Sequence, residues 1–218
     1  MLSTLDRTDP RASVAPLRNE PVQARSTARL AALLDAAAAA VDEHGYERLT
    51  TAMVAERAGA SIGTVYRYFP DRIAILQALG ARNLERVVTH VQDAIRDPQK
   101  DTWFEALTAG FEVLANAFRN EPSFRSLRVV DVLDLKPRES TQTYNSIVAQ
   151  TMFDAVTDRF ELPTTDEARF AFEMSIEVSD GLANRAFFFD DRGDDQILEA
   201  AKNLVGSILA PHFGTPTS

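Results

Sequence analysis

The residues best suited to chemistry lie between Thr50 and Phe69. Thr50 reads as the N-cap of a short helix, Ala52–Ala58. Gly59-Ala60-Ser61 reads as a tight turn, and Ser61 caps a second short helix from Ile62 to Phe69, stopped by Pro70. On that helix Val65 and Phe69 fall together and pack inward, against Val54 and Ala58. Gly63, Thr64 and Arg67 then point away, flanked by Tyr66 and Tyr68. A hydroxyl, a guanidinium and two phenols on one face can bond to base edges and phosphates. Gly63 is a poor helix former, and its missing side chain lets a backbone come close. This is a helix-turn-helix that offers its second helix to a DNA major groove. The alternative is an all-α enzyme or cofactor carrier whose helical hairpin merely packs.

Catalytic chemistry finds little support. The three histidines, His44, His90 and His212, are far apart, with no partner at metal-ligand spacing. No nucleophile elbow, zincin, Walker or dinucleotide-binding glycine pattern occurs. The chain has no cysteine, which excludes disulfides, thiolate metal sites and thiol nucleophiles together. Asp190-Asp191 and Asp194-Asp195 flank Gly193 as a solvated turn. No cofactor and no metal are expected, and the protein is expected not to be an enzyme.

The elements that must hold the Thr50–Phe69 unit are all helical. Residues 1–21 contain Pro10, Pro16 and Pro21, show no period and read as a flexible arm; Arg7, Arg11 and Arg18 could follow DNA, but Asp6, Asp9 and Glu20 offset them. From Ser26 the positions Leu30, Leu33, Leu34, Ala37 and Val41 form a helical stripe that Gly45 ends. Asp71 caps a long helix to about Arg96. Asp101–Asn120 carries the stripe Phe104, Leu107, Phe111, Leu114 and Phe118. Pro122 opens a helix to about Val132, Arg138–Phe160 follows after Lys136-Pro137, and Thr165 caps a helix to about Phe189. Asp194–Leu209, ended by Pro211, is the last. The fold class is all-α, about nine helices: an N-terminal three-helix helix-turn-helix domain (22–72) and a C-terminal helical bundle (73–218).

Hydrophobic residues make up 45% and charged residues 25% of 218, an ordinary globular balance. No apolar run reaches the roughly 18 residues of a membrane span, so no membrane partner and a cytoplasmic location are expected. The net charge of −9 at first argues against nucleic acid, but residues 1–72 hold nine Arg and nine Asp or Glu. All the excess acid therefore lies in the C-terminal two-thirds, away from the helix-turn-helix.

The residues from Gly45-Tyr46 through Thr50, Val54-Ala55, Ala58-Gly59-Ala60-Ser61, Gly63-Thr64-Val65-Tyr66-Arg67-Tyr68-Phe69 and Asp71-Arg72 resemble the TetR family of bacterial transcriptional regulators. The resemblance covers residues 22–75. It implies phosphate contacts from Thr50 and Thr51 and recognition-helix contacts from Thr64, Tyr66 and Tyr68, with Tyr66 on the backbone; Ser61 and Gly63 join the expected DNA-binding residues from their place at the head of the second helix. Arg67 occupies a variable position that can reach a base edge, and Arg72 stands where the family usually has a phosphate-binding Lys. Ile62 departs from a position that is often polar and could touch a thymine methyl. The resemblance also implies double-stranded operator DNA, a small-molecule effector and a homodimer.

The helix after Thr165 is apolar on two sides, with Phe170, Met174, Val178 and Leu182 on one and Phe172, Ile176, Ala183 and Phe187 on the other. A helix with two apolar faces needs two partners. The second face, with Ile197, Ala201, Leu204 and Ile208 of the last helix, is expected to form a four-helix, two-fold dimer interface. Trp103, Phe111, Phe118, Tyr144, Met152 and Phe172 are the candidate walls of an effector pocket, large flat side chains suited to an apolar or aromatic ligand. Asn116, Thr151, Ser179 and Arg185 are polar groups on or near the apolar stripes, and a buried Arg185 would need an acid. The expected function is a ligand-responsive DNA-binding regulator, a repressor released from its operator by a small molecule, with Pro70 as hinge and the long helix after it as lever.

Overall fold

The computed structural model describes residues 20–129 and 143–215. Among the described residues nine α-helices and one 3-10 turn occur: α1 (Glu20–His44), the turn (Tyr46–Arg48), α2 (Thr51–Arg57), α3 (Ile62–Tyr68), α4 (Arg72–Ile95), α5 (Trp103–Asn120), α6 (Pro122–Val129), α7 (Tyr144–Phe160), α8 (Asp166–Phe187) and α9 (Asp195–Phe213). Most of residues 1–21 lie outside the described residues, as does the break at Lys136-Pro137 with residues 138–142. The first helix begins at Glu20, earlier than Ser26, with Pro21 in its opening turn, where a missing N–H has no helical partner to lose.

The helix starts follow from side-chain caps. Thr50, Ser61, Asp71 and Thr165 each accept the backbone N–H three residues on. Thr102 and Glu105 add a reciprocal capping box at the head of α5. The turn between α2 and α3 needs Gly59, whose φ is +56°. Gly59 N–H bonds to the Glu56 carbonyl and Ala60 N–H to the Ala55 carbonyl, which satisfies the end of α2 and turns the chain into α3.

Two apolar cores share α4. The first gathers Leu33, Ala37 and Val41 of α1 with Val54, Val65 and Phe69 and with Ile75, Leu76 and Leu79 of α4. The second takes Leu84, Val87, Val91 and Ile95 of α4 together with α5 and α7 to α9. The packing boundary thus falls inside α4, between Leu79 and Leu84, further along than residue 72. Leu127 of α6 belongs to the first core and Phe124 of the same helix to the second.

One helix end differs from expectation. Pro211 does not stop α9, which runs on to Phe213. Pro211 forfeits one backbone bond near the end of the helix, and the ring of Phe213 repays it. That ring is buried and lies 5.6 Å from Trp103 and 6.3 Å from Phe153. Phe189 lies just past the end of α8, which closes at Phe187.

Candidate nucleic-acid interface and effector pocket

Val65 of α3 is fully buried and Phe69 nearly so, against a fully buried Val54. This orientation leaves Ser61, Ile62, Gly63, Tyr66 and Arg67 on the exposed side, with Thr64 and Tyr68 half-buried at its edges. Tyr66 keeps 54% of its surface, and its hydroxyl lies 3.4 Å from Thr51 Oγ1. Ser61 Oγ lies 2.9 Å from Thr64 Oγ1. Thr50 is exposed; its Oγ1 accepts from Met53 N–H, so its own proton stays available. The structure therefore brings Thr51 to Tyr66 and Ser61 to Thr64, with Thr50 exposed at the head of α2. The Arg67 guanidinium lies 5.4 Å from the centroid of the Tyr68 ring.

Two residues of the group also carry structural duties. Tyr68 packs on the first core, with its hydroxyl 3.3 Å from Ser26 Oγ on α1. Arg72 donates to the Glu47 carbonyl, tying α4 to the 3-10 turn. Arg57 donates to Glu43 and so anchors α2 on α1; that hydrogen bond, with the charge of Arg57, holds the Glu43 carboxyl below its ordinary range. The reading surface is thus fixed to its scaffold from several sides, which keeps its donors preorganised.

The C-terminal core encloses a cavity of about 90 Å³ between α4, α5, α7, α8 and α9, with Arg128 of α6 at its wall. The α5 stripe supplies Phe104, Leu107, Phe111 and Leu114. Of the six expected wall residues, Phe111, Met152 and Phe172 line the cavity. Trp103 and Phe118 do not: Trp103 packs edge-on to Phe104 and Phe213, and Phe118 stacks on Phe187 and meets Phe124. The side chain of Tyr144 lies outside the described residues.

The polar wall came mostly from residues that sequence reasoning missed. Arg128 is 8% exposed and donates to Asp180, which also takes Asn145 Nδ2 at 3.4 Å and Asn184 Nδ2 at 3.3 Å. Asn145 Nδ2 bonds Glu177 as well, at 2.9 Å. Lys202 pairs with Glu112 and, at 3.4 Å, with Glu199. Burial pulls the Lys202 ammonium down, but these carboxylates outweigh it and hold the group above its ordinary value. A signal for part of this was present, since Glu173, Glu177, Asp180 and Asn184 fall on one wedge of α8. Of the polar stripe residues only Ser179 reaches the cavity. Arg185 is exposed, with its guanidinium 5.0 Å from the Phe189 ring, and needs no acid.

The expected dimer face requires correction. Phe172, Ala183, Phe187 and Ala201 are between 0% and 3% exposed within a single chain, so they cannot meet a partner. Ile176 lines the cavity. Ile197 and Ile208 are half-buried, and Leu204 is 45% exposed. The outward side of α8 is the other apolar one, with Phe170 at 64% and Met174, Val178 and Leu182 half-buried. Periodicity shows that a helix has two apolar faces, but both are equally apolar; long-range packing decides which one turns inward.

A helix-turn-helix head joined by one continuous helix to an all-α body with an internal cavity places the molecule in the helix-turn-helix class. Residues 33–79 match the family model of bacterial regulatory proteins of the tetR family. Residues 101–213 match that of the tetracyclin repressor-like C-terminal domain. The chain belongs to the TetR family. The HTH-type transcriptional repressor KstR of Rhodococcus jostii is 44% identical over 55 residues, 25% of this chain and 26% of that one. The matched segment thus spans about a quarter of that relative's length. A TetR-family transcriptional regulator from Streptomyces coelicolor superposes with a TM-score of 0.69 at 29% identity, covering 85% of this chain and 99% of that one. Another, from Pectobacterium atrosepticum, shares the fold with a TM-score of 0.70 at 16% identity, covering 89% and 99%. The membership favours a regulator over an all-α enzyme or cofactor carrier. No helix among the described residues is long and apolar enough to cross a membrane.

Proposed function

We propose that the protein is a homodimeric repressor that binds operator DNA through α3 and leaves it when a small apolar or aromatic molecule enters the C-terminal cavity. The exposed face of α3 carries this reading. Gly63, Tyr66 and Arg67 are exposed there, while the neighbouring Val65 and Phe69 supply the packing. In the complex Thr50, Thr51, Thr64 and Tyr66 hold phosphates, which set register without reading sequence, and Arg67 reads a base edge. Arg72 adds a phosphate contact from the head of α4.

Release is a shift between two populations of the dimer. In one, the two α3 helices meet half-sites about 34–36 Å apart; in the other they do not. The cavity and the DNA-binding core share α4, so a ligand that spreads Val87 and Val91 acts on the same rod that carries Ile75 and Leu79. The cavity is smaller than the ~150 Å³ engineered cavity that admits benzene. A ligand must therefore widen it, which gives binding a structural consequence. The dimer forms on the outward side of α8, through Phe170, Met174, Val178 and Leu182, joined by Leu204 and Ile208 of α9.

Genome-wide capture of bound fragments supplies the operator. Fluorescence anisotropy with that DNA then measures affinity and its loss on addition of candidate effectors. Tight binding to no captured fragment would defeat the proposal. Leu204→Glu should shift the sedimenting species from dimer toward monomer, and a wild-type monomer would remove the interface.

A further inference from the structure

We propose that the effector is a neutral apolar molecule bearing a hydroxyl donor, an alcohol or phenol, and is neither an anion nor a cation. This rests on the reading of the cavity as an effector site. Among the described residues, both cations at the cavity wall are matched by carboxylates: Arg128 by Asp180, and Lys202 by Glu112 and Glu199. Arg128 is held by Asp180, so an anionic head drawn to it competes with that carboxylate in a largely buried site, with Glu177 nearby on the same wedge. A cationic head meets Arg128, and the oxygens of Asp180 that would receive it already take Arg128, Asn145 and Asn184.

The α8 side of the wall adds hydrogen-bond acceptors. Ser175 and Ser179 line the cavity at 1% and 7% exposure. Ser175 Oγ donates to the Phe172 carbonyl and Ser179 Oγ to the Ser175 carbonyl, both at 2.7 Å. A serine hydroxyl has one proton, so each of these oxygens can only accept from a ligand. Thr108, the other hydroxyl at the wall among the described residues, can donate or accept and so does not discriminate. The rest of the lining is predominantly aliphatic and aromatic, including Val87, Phe111 and Met152. An apolar body with one O–H pointing at α8 satisfies both parts of the wall without breaking an ion pair.

Four probes with the same tolyl body test this on the full chain by titration calorimetry at pH 7: p-cresol, 4-methylbenzoate, 4-methylbenzylammonium and p-xylene. p-Cresol should bind at least about tenfold more tightly than either ion. It should bind about two- to tenfold more tightly than p-xylene, the worth of one neutral hydrogen bond. The double substitution Ser175→Ala with Ser179→Ala should bring p-cresol down to the level of p-xylene and leave p-xylene unchanged. Asp180→Asn should raise the affinity for 4-methylbenzoate at least about tenfold, because Arg128 is then unmatched. Tighter binding of either ion by the wild type, or an undiminished cresol preference in the serine variant, would overturn the head-group assignment while the cavity stands as an effector site. Binding of none of the four would remove the effector site itself and the proposal with it.

Discussion

The two ends of α4 pose opposite problems to the chain. At its N-terminal end, α2 and α3 bury Val54, Val65 and Phe69 and turn the neighbouring polar side chains outward. At its C-terminal end, the surrounding helices turn polar side chains inward, onto a cavity where Asp180 matches Arg128 and Glu112 matches Lys202. The first surface is made by local spacing within about twenty residues. The second is made where six helices meet, so each member depends on elements far away in sequence. A substitution on the DNA face should therefore change binding and spare stability, whereas one in the C-terminal core should do the reverse.

The largest expected effect tests the core side of that contrast. Phe187 is 3% exposed and stacks on Phe118 with ring centroids 5.0 Å apart. Phe187→Ala should cost about 3–5 kcal/mol of stability in urea denaturation. If the residue lay in a dimer interface instead, the variant would also dissociate more readily in sedimentation, and an unchanged dimer–monomer equilibrium confirms the core placement. Arg67→Ala should act the other way round. It should cost about 1–3 kcal/mol in operator affinity and relax selectivity at one base pair per half-site. Its exposed position predicts a stability change within about 0.5 kcal/mol. A selection that returns an unchanged operator motif would take Arg67 off the base-reading face.

The same contrast explains what could be read from the sequence. Thr50, Ser61, Asp71 and Thr165 were legible as caps because a cap bonds three residues along its own chain. Gly45 and Gly59 were legible as stops, and both have positive φ. The apolar stripe of α1 was legible as core for the same local reason. Long-range facts were not. Nothing within α8 tells Phe170 from Phe172, yet one is 64% exposed and the other 1%. Along α5, Phe111 and Phe118 read alike as pocket walls, and only the placement of α4, α7, α8 and α9 leaves the cavity against Phe111. Pro211 reads as a stop because the reward for continuing, Phe213 against Trp103 and Phe153, is over fifty residues away in sequence.

Between the two regions stands α6, and its first turn sharpens the comparison. Pro122 opens the helix, and the N–H of Ser123 is capped by Asp42 Oδ1 of α1 at 2.8 Å, 81 residues away. The DNA-binding unit thus supplies the cap for a helix whose far end carries Arg128 at the cavity. Asp42→Ala should cost about 0.5–2 kcal/mol in stability. Because the cap joins the regions, it should also weaken the response of DNA binding to an effector, measured as the ratio of operator affinities with and without ligand. An unchanged ratio would make the cap purely structural. Tyr66→Phe should cost about 0.5–1.5 kcal/mol in DNA affinity, equally for operator and unrelated sequence, since a phosphate contact carries no base information. A loss confined to the operator would move Tyr66 to the base-reading group.

The smallest of these effects is the sharpest test of what the α3 face is for. Gly63 sits in the first turn of α3, and a Cβ built there meets nothing closer than Ser61 Oγ at 3.9 Å. Its φ lies outside the left-handed region. The fold therefore has no need of a glycine at this position and bears its conformational entropy. Gly63→Ala should stabilise the protein by about 0.4–1 kcal/mol, because alanine restricts the unfolded chain without straining the native one. The same methyl projects from the exposed side of α3, where in the proposed complex the helix backbone comes close to DNA. Operator affinity should fall as stability rises, and the two are measured separately by urea denaturation and fluorescence anisotropy. A variant that gained stability and kept full affinity would show that Gly63 makes no close approach to DNA, and the docking of α3 would have to be drawn through Ile62, Tyr66 and Arg67 alone.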